Sequence, residues 1–425
     1  MVYTVLDVVS VILAMHCIVS LRFMLYAWET EDRLQNGGVH ASFSPPKHSF
    51  SVMIPARHEE AVIYETIHHV WNARYPHALL QVLVVCHVSD LGTIAEAERA
   101  IREISSPNVT LVTFSDLPIN KPHGLNIALK FATKDIVTVF DAEDDMSPEI
   151  FNVINSRYLQ EELGNGVIQA GVQLMNYQDQ WFGLHNCLEY FFWFKSRLHL
   201  HAQIGMIPLG GNTLFIPRTL FDVVGGWDET CLTEDAEIGI RLSLLDCPIR
   251  TIYDSRYATR EEIPHTLGQF IRQRTRWNQG FLQVLRSGAW RYMPRRRQRL
   301  LAFFTLAYPL LQSFIVLLLP LDIATGLWLR PSALAAMITF LPFYAVLLQL
   351  VALVIGSYEF AREYDLKLPW YTPLLTVVTY LPFLAVLAVS SVRALVREAR
   401  GHRGWEKTTH AGAHRQMTAN EQSAA

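Results

Sequence analysis

The chain has 425 residues, room for one large domain of about 200 to 250 residues plus accessory segments. Hydrophobic residues make up 51% and charged residues only 18%, a balance foreign to soluble domains, and the apolar excess is concentrated at the two ends. A formal net charge of -3 excludes a general nucleic-acid binder, which needs a basic surplus to neutralise phosphates.

Residues 1–21 form a nearly continuous apolar run, broken by Asp7 and His16 and long enough for a bilayer core of about 30 Å. No basic stretch precedes it, Arg22 follows it and no small-residue cleavage site is evident. A retained signal anchor with its N-terminus outside is therefore expected, with a buried core helix as the alternative. The cysteines, Cys17, Cys86, Cys187, Cys231 and Cys247, are scattered and form no C-x-x-C pair, which fits a reducing compartment.

From residue 49 to about residue 263, short β-branched runs alternate with amphipathic stretches, the pattern of an α/β domain with a mostly parallel sheet. Strands are expected at 51–54, 81–85, 110–114 and 136–140, and helices at 59–73, 93–104 and 123–132. Ligands of such sheets collect beyond the carboxyl ends of the strands.

After the strand ending at Phe140 come Asp141, Glu143, Asp144 and Asp145, a cluster that repels itself unless a cation holds it. Such oxygen ligands suit Mg²⁺ or Mn²⁺, with Asp141 and Glu143 as the preferred pair; a solvated acidic turn is the alternative. Thr233-Glu234-Asp235 opens an amphipathic stretch and reads either as a helix cap or as the seat of a general base. Gln273-Arg274-Thr275-Arg276-Trp277 lies in a basic segment before the next apolar run. Its guanidinium can clamp a diphosphate and its indole can face a sugar ring, unless the segment is a juxtamembrane anchor.

Three further spans are expected near 300–327, 333–355 and 371–392. Arg295, Arg296, Arg297 and Arg299 precede the first, and Arg393, Arg397, Arg400 and Arg403 follow the last. Both clusters call for the cytoplasmic side, which three crossings do not allow, so one segment is expected to lie in the interface or re-enter. The stretch 359–370 is the candidate interfacial element.

In order, these pieces resemble the family 2 glycosyltransferases, especially the branch of cellulose, chitin, hyaluronan and poly-N-acetylglucosamine synthases, over residues 49–283. Pro55 and Glu59 resemble the opening P-x-x-N-E loop, and Lys121, Gly124, Leu125 and Asn126 the K-x-x-x-L-N element beside the nucleotide. Asp141 and Glu143 fall on the metal-binding D-x-D, Asp235 on the catalytic base of T-E-D, and Gln273, Arg276 and Trp277 on Q-x-x-R-W. Gly211 and Asn212 resemble the acceptor-side loop, and residues 225–228 the turn leading to T-E-D. Residues 405–410 resemble a gating loop, which requires a cytosolic tail. One departure stands out: where the family carries adjacent acids after its second strand, this chain has Cys86 and His87, so Asp90 or His87 is left to contact the base.

The resemblance implies a GT-A-type α/β domain flanked by transmembrane helices. The expected units are an anchor (1–27), a cytosolic transferase domain (48–298), C-terminal membrane helices (299–393) and a basic tail (394–425). It implies inverting, Mg²⁺- or Mn²⁺-dependent transfer. The donor is a nucleotide sugar, UDP-linked before GDP-linked, bound by Pro55, Glu59, Asp90, Lys121, Asp141 and Arg276. Gly211, Asn212, Glu234, Gln273 and Trp277 are expected on the acceptor side. Processive extension of a β-linked polysaccharide at the cytosolic face of a bacterial cell membrane is the leading product, with a homo-oligomer or accessory subunit as possible partner. The alternatives are transfer of one sugar to a lipid-linked acceptor, or a nucleotide-sugar-binding assembly component without turnover. An ion transporter is disfavoured because the spans contain few charges.

Overall fold

The structure, a computed structural model, describes residues 2–29, 42–329, 332–402, 404 and 406. In chain order these form α1 (Val2–Glu29), β1 (Phe50–Ala56), α2 (Ile63–Trp71), β2 (Leu80–His87), α3 (Leu91–Ile104), β3 (Val109–Phe114), α4 (Lys121–Leu129) and β4 (Ile136–Val139). Next come α5 (Ile150–Gln160), β5 (Val167–Ala170), β6 (Val172–Leu174), α6 (Gly183–Phe192), α7 (Leu198–Ile204), β7 (Leu214–Pro217) and α8 (Arg218–Val224). Then follow α9 (Glu234–Leu244), β8 (Ile249–Ile252), β9 (Thr259–Glu261), α10 (Leu267–Ser287), α11 (Arg296–Leu329), α12 (Ala333–Thr339), α13 (Leu341–Glu363) and α14 (Thr372–Ala399).

Seven strands pair in the order β3-β2-β1-β4-β7-β5-β8, parallel except for β7, which runs antiparallel to β4 and β5. Side chains alternate across β1: Phe50, Val52 and Ile54 enter one core with α2 and α5, while Met53 enters the other with α4 and α9. Burial on both faces explains the uninterrupted β-branched runs. The expected strands and helices are all present, with ends displaced by a few residues. A separate parallel pair, β6-β9, joins the acidic loop through a bridge between Asp145 and Arg260.

Four helices are long and apolar enough to cross a membrane: 7–29 within α1, 296–328 within α11, α13 and α14. The expected span at 333–355 is displaced, because the helix breaks at Phe340 and restarts with Pro342 in the first turn of α13. The stretch 359–370, expected as an interfacial element, begins inside α13 and continues past its end. Glu359 and Glu363 complete α13, where Lys195 pairs with both and the Trp28 indole donates to Glu359.

The last helix is also fastened to the sheet domain. Just before its start the Lys367 carbonyl accepts from Tyr177, its Thr379 meets His185, Ser391 accepts from Asn278, and Glu398 accepts from Gln279 and Arg286. Its length is therefore tied to α6 and α10 of the sheet domain. Its outer face shows Leu374, Val378, Leu381, Val389 and Val392.

Candidate active site

The carboxyl ends of β1, β2 and β4, the first turns of α4 and α9 and one face of α10 converge on a cavity of about 690 Å³. Pro55 and the buried Glu59 come from the β1 end, where His58 adopts a positive φ of 54°. His87 comes from the β2 end. Asp90 does not line the cavity. It caps α3, accepting from the Thr93 N–H at 3.4 Å, and accepts from the His58 N–H at 2.6 Å. Asp90, one of the two residues expected at the base, supports the β1 loop in this structure, while His87 lines the cavity.

Lys121 opens α4 behind an Asn120 cap and donates to Asp141 and, at 3.0 Å, to the Gly211 carbonyl. Asn126, six residues after the cap, turns the other way: it exchanges 2.9 Å hydrogen bonds with Trp227 and donates to Glu229. Gly226 allows this, since its φ is 87° and an added Cβ would lie 2.5 Å from the Asn126 oxygen. The K-x-x-x-L-N and G-G-W-D segments are thereby fastened to each other.

Asp141 and Glu143 line the cavity, while Asp144 turns inward and is fully buried, accepting from the Asp141 N–H at 2.8 Å and from Asn212 at 2.9 Å. Asn212 also donates to Glu261, a carboxylate that the sequence reading missed. Burial, then the charges of Glu143 and Asp141, push Glu261 up to about 8. Burial, then Glu261, raise Asp144 well above the ordinary range. Four carboxylates crowd this corner, and one of them, Asp141, pairs with Lys121.

Thr233 precedes α9, and Glu234 and Asp235 form its first turn. Asp235 lines the cavity and accepts from the Ala236 N–H at 2.7 Å. Burial raises its carboxyl, opposed by that hydrogen bond, Lys121 and Arg276. Burial, then Asp235, push Glu234 to about 7. An added Cβ at Gly211 would lie 3.2 Å from an Asp235 oxygen, so this glycine sets the space above the carboxylate.

Gln273, Arg276 and Trp277 share one face of α10 by their i, i+3, i+4 spacing and all line the cavity. Burial lowers the Arg276 guanidinium, opposed by Glu234, Asp235 and Asp141. Arg274 serves as a strut, donating to Glu189 and Asn186 and stacking over Trp277. Gly280 lets α10 close on the T-E-D turn, where a Cβ would meet Thr233 N at 2.7 Å. Beyond Trp277 the cavity continues past Arg197, Tyr308 and Gln349 to Leu353 and Leu384 between the apolar helices. The proposed gating loop lies outside the described residues except for Glu406, which pairs with Arg393 and Arg397.

A family model described as "Glycosyltransferase like family 2" matches residues 45–280. A beta-monoglucosyldiacylglycerol synthase of Trichormus variabilis is 25% identical over 261 residues, covering 58% of this chain and 54% of that protein. The chain thus spans about half the length of that relative. A poly-beta-1,6-N-acetyl-D-glucosamine synthase of Staphylococcus epidermidis is 24% identical over 377 residues, covering 84% of this chain and 86% of the relative. A mannosyltransferase of Pyrobaculum calidifontis, solved with GDP-Man and Mn²⁺, shares the fold at a TM-score of 0.60 and 19% identity, over 92% of this chain and 99% of that one.

Proposed function

Because the chain belongs to the family 2 glycosyltransferases, with a GT-A sheet domain and four apolar helices, we propose a metal-assisted inverting enzyme. It moves a sugar from a nucleotide sugar to an acceptor hydroxyl that arrives from the membrane side. The observation that carries this reading is that Asp141 and Glu143 line the same cavity as Asp235, with Lys121 paired to Asp141 and close to the α9 turn through Gly211.

In this reading Asp235 takes the proton of the acceptor hydroxyl as its oxygen attacks the anomeric carbon on the face opposite the nucleotide. An α-linked donor then gives a β-linked product. Arg276 neutralises the departing diphosphate. The donor set fits a hard divalent cation, since crowded carboxylates whose proton affinity is raised by burial and then by mutual repulsion are relieved by one. Asp141 and Glu143 would hold Mg²⁺ or Mn²⁺, which supplies positive charge to the diphosphate. His87 is the residue proposed at the base, with UDP-sugars favoured over GDP-sugars. Pro55, Glu59 and Lys121 complete the donor side, and Gly211, Asn212, Glu234, Gln273 and Trp277 the acceptor side.

Chain extension into a β-linked polysaccharide is supported by the Gln273, Arg276 and Trp277 face and by the cavity that runs on between the helices. Transfer of a single sugar to a lipid-borne acceptor is favoured by a different observation, the unbalanced charge of Arg197 at the membrane end. The proposed organisation is an anchor (1–27), a cytosolic domain (48–298), membrane helices (299–393) and a tail (394–425). With α14 lying along the interface, both arginine clusters stay on the cytosolic side, which removes the conflict in the positive-inside rule.

Asp235→Asn is expected to lower transfer by about 10²–10⁴-fold while donor binding stays near normal. Near-normal turnover of this variant would overturn the assignment.

A further inference from the structure

Between α6 and α7 the chain makes one π-helical turn, Trp193–Arg197, and a wider turn of this kind re-aims the side chain at its end. Arg197 is 9% exposed and lines the membrane-side part of the cavity. Its guanidinium lies 4.6 Å from the Phe23 ring centre and 4.7 Å from those of Trp193 and Tyr308, so α1 and α11 supply two of three aromatic walls. Its Nε donates to His201 Nε2 and an Nη to Thr305, both at 3.4 Å. The His201 Nδ1 lies 3.0 Å from the Met206 carbonyl and donates to it, which leaves Nε2 as a neutral acceptor.

No carboxylate among the described residues pairs with Arg197. Two other cavity arginines differ: Arg274 is paired with Glu189, and Arg276 feels Glu234 and Asp235. Burial draws Arg197 down only to about 10, so it is charged at neutral pH. A buried cation is ordinarily balanced by an anion, and a guanidinium has five N–H groups, of which two are spent here on long bonds to neutral acceptors. Phe23 follows Arg22, the first basic residue of α1, and basic residues are enriched where apolar spans meet lipid headgroups.

We propose that Arg197 is the recognition residue for a phosphate carried by a membrane lipid, which enters the cavity between α1 and α11 with its headgroup against the guanidinium. The fork geometry suits two phosphate oxygens, and the aromatic walls exclude the water that would otherwise solvate the charge. This inference rests on the lipid-acceptor reading of the same cavity and names the group that anchors that lipid, the accepting hydroxyl being a separate group that reaches Asp235. It assigns Arg197 to binding and Asp235 to chemistry.

The test reads lipid retention by native mass spectrometry of the full chain in detergent, without turnover. Undecaprenyl phosphate, phosphatidic acid and neutral diacylglycerol are offered separately, with inorganic phosphate as competitor. The wild type is expected to retain one of the phosphate-bearing lipids about tenfold more strongly than diacylglycerol, and Arg197→Gln to lose that preference. Arg197→Lys, which keeps the charge but not the fork, should fall between them, and it serves as the reading if the Gln variant does not fold. Preference for undecaprenyl phosphate or for phosphatidic acid identifies the source as polyprenyl or glycerolipid. Asp235→Asn should keep the preference, so failure of the catalytic assignment leaves this result intact. A wild type that retains diacylglycerol equally, an Arg197→Gln variant that keeps the preference, or binding of inorganic phosphate alone overturns the proposal.

Discussion

The donor end and the membrane end of the cavity each bury a cation, and they balance it differently. Lys121 is paired with Asp141 and feels Glu234 and Asp235, which outweigh the opposing effect of burial and hold its ammonium above the ordinary range. Arg197 meets three aromatic rings, a neutral imidazole and a hydroxyl. The contrast separates two kinds of recognition. In the proposed reading the donor end, with its surplus acid, takes a metal with its diphosphate, and the membrane end, with its surplus base, takes an anion.

The largest disturbance of this contrast is expected from Asp141→Asn, which removes the acid that pairs with Lys121 and would hold the metal. Sugar transfer, followed by nucleotide release, should fall by about 10²–10³-fold, and chelation of divalent cations should silence the wild type in the same assay. Activity that survives both treatments removes the metal from the account.

A smaller effect is expected from Gly280→Ala, which acts on geometry rather than charge. The added methyl meets Thr233, so α10 must move away from the turn that carries Asp235. Overpacking of this kind costs about 1–3 kcal/mol, visible as a lower Tm, and the displaced base should lower kcat by about tenfold or more. An unchanged kcat would show that the Arg276 face and the T-E-D turn need not be held in register.

The smallest effect is a shift of a pH profile. Asp235 accepts a proton only when ionised, and burial raises its carboxyl, so activity should decline, as pH falls, at a pH above the ordinary carboxylate range. Lys121 lowers that carboxyl, hence Lys121→Met should move the acid limb of kcat/KM to higher pH. A limb that stays in place or moves down contradicts the proposed field.

The elements that carry the donor end were largely legible in the sequence, because the β-branched run of β4 and the amphipathic pattern of α9 are both local signals. Asp141 and Glu143 follow β4, and Asp235 opens an amphipathic helix. Asp90 carries a second signal in the sequence, since Ser89-Asp90 directly before a helical pattern reads as a cap, and its side chain does cap. Glu261 carried no such sign. It reaches the acidic corner through the β6-β9 pairing and the Asp145-Arg260 bridge, both of which join distant segments.

The membrane end was less legible for the same physical reason. Arg197 sits in a stretch of aromatic and basic residues that reads as an ordinary amphipathic helix, and its isolation follows from the approach of α1 and α11. The placement of α14 likewise depends on Ser391 and Glu398 meeting α10, polar contacts that hydropathy does not record. Hydropathy registers how apolar a helix is, while the partner it lies on is set by tertiary contacts.

The central claim is that Asp235 activates the acceptor across the sugar from a metal-bound diphosphate. The most direct test is the anomeric configuration of the product made by the purified chain from an α-linked nucleotide sugar, read from the one-bond and vicinal couplings of the anomeric proton by NMR. A β-linked product is predicted. An α-linked product would require a different catalytic arrangement and would contradict the account.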